Sequence, residues 1–293
     1  MLNKIRSLAV KHAIPAAFII FVIFDVFLHG LGELFALLPK TLVRRYISEV
    51  VFIALPIALV FVFGFAKTFR KGHFFKGIIC LLPFIVLQLS LFVIFLVKHV
   101  GNPETNWNSL SVIILGVFGI VCVGLREEFI YRATYQNIVA KKHANSVKGI
   151  WTTVLISSAI FGLCHISNLI YGTHPLSVLA QVVDAFVVGL LFGAVYLRSG
   201  SIWSVVVVHT LTDLSGLASS TFLRNISDIQ DFNQLSISWG SILLNIVYIA
   251  WVAFLLRPSK CKEIYENFCF ADEKPESADN SEAIDNSVSA DNA

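Results

Sequence analysis

The stretch SLSVIILGVFGIVCVGLREEFIYRATY, residues 109–135, is the part of the sequence that decides the fold. It carries no charged residue before Arg126, and it then places two adjacent glutamates between two arginines. A helix of about 20 apolar residues crosses the hydrocarbon core of a bilayer. Ionisable side chains within such a helix are costly and mark a functional site by default. The stretch therefore predicts a transmembrane helix with a polar site near one end.

The composition of the whole chain extends this prediction to the rest of the sequence. Of its 293 residues, 56% are hydrophobic and only 14% are charged, which is typical of a polytopic membrane protein. We predict an all-α fold, a bundle of about eight transmembrane helices. The predicted spans are roughly 14–38, 50–66, 78–98, 110–136, 150–170, 176–197, 202–220 and 237–256.

The distribution of Lys and Arg predicts the orientation of the bundle. Most basic residues of the connections lie on the side that carries both termini, which predicts that both termini are cytoplasmic. The basic cluster at 40–45 runs against this assignment. A basic cytoplasmic face suits anionic lipid and needs no nucleic-acid partner. The chain carries no ER-retrieval or transit signal, so we expect a multi-pass protein of a bacterial plasma membrane.

The two adjacent glutamates have different predicted environments. Glu128 and Arg132 are four residues apart on one helix face, so they can form an ion pair that costs less to bury than either charge alone. Glu127 lies about 100° around the helix and lacks this natural partner. One glutamate is therefore predicted to be structurally satisfied, and the other to be free for chemistry.

Two histidines lie in later predicted spans. His165 follows Phe161 by one helical turn, and His209 precedes Asp213 by one turn. A carboxylate one turn away can fix the tautomer of a histidine or share a metal with it. Cys164 adjoins His165, but adjacent helix residues point apart, so no Cys–His pair is expected.

A rival interpretation comes from the first span. Asp25, His29 and Glu33 are spaced four and four, which places them on one stripe of a single helix. Such a stripe is typical of a proton relay in a transporter, and equally of a packing face. The sequence alone leaves both readings open.

Three ordered motifs together are more specific than any one of them. In their order and spacing they resemble the signature of the CPBP family, the CAAX proteases and bacteriocin-processing enzymes, also called the Abi family. The motifs are Glu127-Glu128-x-x-x-Arg132, Phe161-x-x-x-His165 and His209-x-x-x-Asp213. The resemblance covers roughly residues 110–220.

This resemblance implies an eight-helix intramembrane endopeptidase with a catalytic cavity open to the cytoplasmic side. It implies that Glu127 activates water and that Glu128 and Arg132 support it. His165 and His209 are the histidines of the second and third motifs. Asp213 stands where many members have Asn, which puts in doubt a hydrogen bond from this position to an oxyanion.

The same residue types could also hold a metal ion. Zinc bound by two histidines and a carboxylate keeps a position open for water. The sequence has no HExxH motif, so it leaves the choice between zinc and unaided glutamate open. The candidate zinc ligands are Glu127, His165, His209 and Asp213.

Two other functions compete with the endopeptidase. One is a non-catalytic membrane scaffold or bacteriocin self-immunity protein with the same fold, and the other is an ion-coupled transporter. The endopeptidase implies a peptide or membrane-protein substrate within the lipid bilayer. The sequence sets neither the substrate nor the oligomeric state.

The domain organisation follows from these spans and motifs. Residues 1–109 hold the first three transmembrane helices, and residues 110–220 hold the CPBP-like catalytic core of helices four to seven. Residues 221–260 hold the last transmembrane helix. Residues 261–293 form an acidic tail, which we predict to be disordered and cytoplasmic because its composition cannot bury a core.

Overall fold

The computed structural model of the chain describes residues 1–39, 41–70, 72–224, 226, 233 and 235–267. Within these ranges the chain is helical and contains no β-strand, only an isolated bridge between Trp107 and Leu223. The helices are α1 (Leu2–Lys11), α2 (Ala13–Ala36), α3 (Leu42–Val62), α4 (Phe74–Cys80), α5 (Leu82–His99), α6 (Leu110–Ile130), α7 (Asn137–His143), α8 (Val147–Cys164), α9 (Pro175–Ser199), α10 (Ile202–Gly216), α11 (Ala218–Phe222), α12 (Trp239–Leu255) and α13 (Pro258–Asn267). Tighter 3₁₀ turns lie at Ala66–Phe69 and His165–Leu169, and a wider π turn lies at Tyr131–Gln136.

Among the residues that the structure describes, six helical segments are long and apolar enough to cross a membrane. They are α2, most of α3, α5, the continuous helical segment Leu110–His143, the segment Val147–Leu169, and α9. The other two predicted spans correspond to α10 and α12, which have only 15 and 17 residues. The prediction of a polytopic all-α membrane protein is confirmed, and each predicted span overlaps at least one helix.

Several predicted boundaries are wrong. The third span, expected at 78–98, is broken because α4 ends at Cys80 and α5 begins at Leu82 with a proline in its first turn. Proline lacks the N–H that would continue a preceding helix, and it fits the first turn of a new one. At the other end of the chain, residues 261–267 belong to α13 rather than to a disordered tail. The rest of the predicted tail, residues 268–293, lies outside the described residues.

The centre of the bundle is the contact between α8 and α9. Half or more of each is buried, 50% and 56%, whereas α2, α3 and α5 are only 6–11% buried and present apolar side chains outward. Gly189 and Gly193 of α9 face α8, where a Cβ would lie 3.2 Å from Ser158 Cβ and 3.4 Å from Val154 Cγ1. These two small residues, one turn apart, allow α8 and α9 to approach each other closely. The outer helices are left to face lipid.

A sharp turn after α9 brings α10 back into the bundle. Gly200 ends α9 with φ 65°, a left-handed conformation that favours glycine. The next residue, Ser201, caps α10 by accepting a hydrogen bond from the Ser204 N–H. Helix α10 then packs against α6, which places the third predicted motif beside the first.

Candidate functional site

A close approach of two helices positions the adjacent glutamates. Gly124 lies one turn before them on α6, and a Cβ at this position would lie 2.6 Å from Thr210 Oγ1 of α10. Only glycine leaves room for this contact. The helices therefore meet closely at the level where Glu127 and Glu128 face His209.

Glu128 is completely buried and contacts two other residues of the predicted site. Its Oε2 lies 3.1 Å from Nε of Arg132, and its Oε1 lies 2.8 Å from Nδ1 of His209. The predicted Glu128–Arg132 ion pair is confirmed. An ionised carboxylate only accepts hydrogen bonds, so Nδ1–H of His209 is the donor and Nε2 is turned away from Glu128.

Arg132 has few other partners in its buried environment. It lies in the π turn that follows α6, a type of turn that is frequent at functional sites. Its guanidinium carbon is 5.0 Å from the centre of the Phe161 ring, and its side chain is completely buried. None of its three guanidinium nitrogens has a hydrogen-bond partner of good geometry within the described ranges. Glu128 is therefore the group that compensates the buried positive charge of Arg132.

The second ring nitrogen of His209, Nε2, faces two carboxylates. Nε2 is 3.6 Å from Oε2 of Glu127 and 3.7 Å from Oδ2 of Asp213. The Glu127 side chain is 19% exposed, in contrast to the fully buried Glu128. Glu127 is thus the member of the glutamate pair that is open to a reacting molecule.

His165 starts the 3₁₀ turn after α8 and is oriented by backbone. Its Nδ1 donates to the carbonyl oxygen of Phe161 at 2.9 Å, which leaves Nε2 for other partners. The Phe161 ring packs edge-on against both His165 and His209, with centroid distances of 5.2 and 5.7 Å. The expectation that Cys164 points away is wrong, because the change from α-helix to 3₁₀ turn brings Cys164 Sγ to 3.3 Å from His165 Nδ1.

The predicted site residues lie in or next to the wall of one cavity of about 610 Å³. The predicted site residues divide into two groups around it. Glu128 and Arg132 are buried behind its wall. Those that line the cavity are Glu127, His165, His209 and Asp213.

Helix α2 forms part of the cavity wall, with two residues of the stripe Asp25, His29 and Glu33. Asp25 and His29 line the same cavity as Glu127, and His29 Nδ1 donates to the Asp25 carbonyl oxygen at 2.9 Å. The His29 ring stacks on Tyr171 with a centroid distance of 6.0 Å. Burial raises the pKa of Tyr171, and the Glu33 and Asp25 carboxylates raise it further, so this phenol is neutral at physiological pH. The stripe is thus partly a second wall of the candidate site.

Two further polar residues, Arg126 and Asp184, belong to the cavity wall. Arg126 lines the cavity, and its guanidinium carbon lies 5.8 Å from the centre of the Phe52 ring. Asp184 accepts a hydrogen bond from Nδ2 of Asn245 on α12 at 2.7 Å. No sequence pattern points to Asn245, because a single asparagine in an apolar helix has no local partner.

The predicted zinc ligands do not form a recognisable metal centre. Among the residues that the structure describes, no group of three or more His, Cys, Asp or Glu side chains is arranged to hold a metal ion. His209 uses one ring nitrogen for Glu128, and His165 uses one for backbone. A metal-bound histidine also holds its second ring nitrogen on a carboxylate or a carbonyl oxygen, so these two contacts are compatible with zinc, and zinc binding stays a prediction.

The geometry brings a carboxylate and two histidines, Glu127, His165 and His209, from three parts of the chain to the wall of one cavity. Comparison with known protein families gives the class of protein. Residues 107–215, just over a third of the chain, match a family model described as "Type II CAAX prenyl endopeptidase Rce1-like". Residues 107–215 form an Rce1-like domain, which confirms the resemblance to the CPBP family expected over roughly residues 110–220. No curated protein and no solved structure matches the chain.

Proposed function

We propose that the protein is an intramembrane endopeptidase of the CAAX-protease type, in which Glu127 activates the water that cleaves a peptide bond. The observation that carries the proposal is the arrangement around His209. Its Nδ1 is held by the buried Glu128, and its Nε2 faces the partly open Glu127. One glutamate orients the histidine, and the other is left for chemistry. This is the division of roles that the spacing of the first motif predicts.

The proposed reaction is hydrolysis by general acid and base catalysis. Glu127 takes a proton from a water molecule while the oxygen atom of that water attacks the carbonyl carbon of the scissile bond. The tetrahedral oxyanion is stabilised by N–H groups at Nε2 of His209 and His165. Since Nδ1–H of His209 donates to Glu128 and Nδ1–H of His165 donates to the Phe161 carbonyl oxygen, both rings donate here in their protonated form. Glu127 then returns the proton to the leaving amine, and the carbon–nitrogen bond breaks. The products are a new carboxylate and a new amine.

Asp213 has an indirect role in this scheme. An ionised carboxylate cannot donate a hydrogen bond to an oxyanion. Its Oδ2 lies 3.7 Å from Nε2 of His209, so its charge favours the protonated, donating form of that histidine. Asp213 therefore acts through His209 rather than on the substrate.

The proposed substrate is a peptide that reaches the cavity from the bilayer. The matching family model is described as a prenyl endopeptidase, and apolar side chains form much of the cavity wall. Leu28, Phe52, Val188 and Leu217 are among them, and they suit an isoprenoid or an apolar side chain.

Cleavage assays with the purified protein in proteoliposomes test the proposal. The probes are fluorogenic peptides ending in a CAAX sequence, with and without a farnesyl group on the cysteine. Glu127→Gln is expected to lower the cleavage rate by about 10³-fold, within the range for loss of a general base. Glu33→Gln removes an exposed glutamate of α2 and is the matched control, with a rate near that of the wild type.

The outcomes separate the competing functions. Equal rates for wild type and Glu127→Gln would contradict the proposed mechanism. Absence of cleavage of both peptides by the wild type would favour the non-catalytic scaffold. Elemental analysis of the same preparations tests the zinc prediction, because stoichiometric zinc would add a Lewis acid that the present scheme does not use.

A further inference from the structure

A second cavity lies between α1, the turn after α3, and α7. Its volume is about 420 Å³, and it shares no lining residue with the cavity of Glu127. Two of its residues are basic and two are small and polar. The lining consists of Asn3, Arg6, Ser7, Val10, Phe63, Gly64 and Lys141.

Helix α1 presents two different faces here. Residues 3, 6, 7 and 10 follow the spacing of a single helix face, and all four line the cavity. On the other side, Leu2, Ile5 and Leu8 have exposed fractions of 42%, 44% and 60%. A short helix with a basic, polar face and an exposed apolar face is typical of the membrane–water interface. The cavity is therefore at the level of lipid headgroups.

Arg6 is fixed in the wall of this cavity. Its Nε donates to the carbonyl oxygen of Val62 at 2.6 Å, and its Nη2 donates to that of Phe61 at 2.8 Å. Gly64 lies beside the guanidinium and has φ 81°, a left-handed conformation that favours glycine and turns the chain after α3. No carboxylate of the described residues lies within 4.0 Å of Arg6, so its charge has no ionic partner there. A fixed guanidinium of this kind is suited to binding an anion.

The surroundings add further positive charge. Lys141 lines the cavity from α7, and the neighbouring Lys142 donates to the carbonyl oxygen of Lys11 at 2.6 Å. Lys4 and Lys11 lie on α1 itself. Basic pockets between helices at the membrane surface bind the headgroups of anionic lipids.

We propose that this cavity binds the phosphate group of an anionic phospholipid. Arg6 and Lys141 contact the phosphate, and Asn3 and Ser7 contact the rest of the headgroup. The acyl chains leave along Val10 and the bilayer beside α1. The bound lipid connects α1, α3 and α7, which meet around the cavity.

Native mass spectrometry of the purified protein tests this site. The probes are phosphatidylglycerol and phosphatidylcholine with identical acyl chains, so only the headgroup charge differs. The wild type is expected to retain phosphatidylglycerol in preference to phosphatidylcholine. Lys141→Gln is expected to weaken phosphatidylglycerol binding about fivefold, and Arg6→Gln combined with it about 25-fold, following the typical contribution of a basic residue at an anionic surface.

A matched control and a competitor make the test decisive. Lys98→Gln removes an exposed lysine near the end of α5 and should bind phosphatidylglycerol as the wild type does. Since Arg6 also holds the end of α3, Lys141→Gln keeps the test valid if Arg6 variants fold poorly. Equal retention of the two lipids, or unchanged binding by Lys141→Gln, would overturn the proposal. Displacement of the lipid by equimolar glycerol 3-phosphate would assign the site to free phosphate instead.

Discussion

Substitution of each adjacent glutamate by glutamine should separate stability from chemistry. Glu128→Gln removes a charge from a completely buried group between Arg132 and His209, while the amide keeps the shape and one acceptor oxygen. The guanidinium of Arg132 has no other hydrogen-bond partner within the described part of the chain. Breaking a buried ion pair by neutralising one partner costs about 3–5 kcal/mol. Glu127→Gln changes a 19% exposed group at 3.6 Å from its nearest ionic partner and should cost less than about 1 kcal/mol.

Thermal unfolding in detergent micelles measures this difference. At roughly 3 °C per kcal/mol for a chain of this size, Glu128→Gln should lower the Tm by about 10 °C or more. Glu127→Gln should shift it by no more than about 3 °C, yet abolish cleavage. The double variant Glu128→Gln/Arg132→Gln should recover part of the lost stability, because both buried charges are then removed. Equal Tm shifts for the two single variants would refute the assignment of a structural role to Glu128 and a chemical role to Glu127.

Three further predictions concern the neighbours of His209, each followed by cleavage rate and Tm. Asp213→Asn and Asp213→Ala should both lower the cleavage rate about tenfold or more, because each removes the charge that favours the donating form of His209; a wild-type rate for Asp213→Asn would show that Asp213 does not act through His209. Phe161→Leu removes the ring that contacts both histidines and Arg132, so the rate should fall at least about tenfold, with a stability loss of about 1–2 kcal/mol; an unchanged rate would remove Phe161 from the account. Gly124→Val should force α6 and α10 apart against Thr210 and cost at least about 2 kcal/mol, while Gly30→Val, with nothing within 4 Å of its Cβ, should leave Tm nearly unchanged.

Local spacing was enough to predict several features of the site. The ion pair of Glu128 and Arg132 follows from residues four apart on one helix, because both partners belong to the same rigid element. The long apolar runs predicted the helices that cross the membrane, since hydropathy and length decide these almost alone.

Contacts between distant parts of the chain could not be predicted in this way. Glu128 and His209 are 81 residues apart, and only the packing of α10 on α6 brings them to 2.8 Å. The stripe of Asp25 and His29 could be placed on one face of α2, but not on the wall of this cavity. The Cys164–His165 contact depends on a local change from α-helix to 3₁₀ turn, for which the sequence carries no breaker residue.

The central claim is that Glu127 activates water for peptide hydrolysis, and product analysis in heavy-oxygen water tests it most directly. The farnesylated and the unmodified CAAX peptide are incubated with wild-type and Glu127→Gln proteoliposomes, and the products are analysed by mass spectrometry. The account predicts that the wild type gives a product whose new carboxylate carries one heavy oxygen atom, and that Glu127→Gln gives essentially none. Labelled product from Glu127→Gln at the wild-type rate, or intact peptide after incubation with the wild type, would contradict the account.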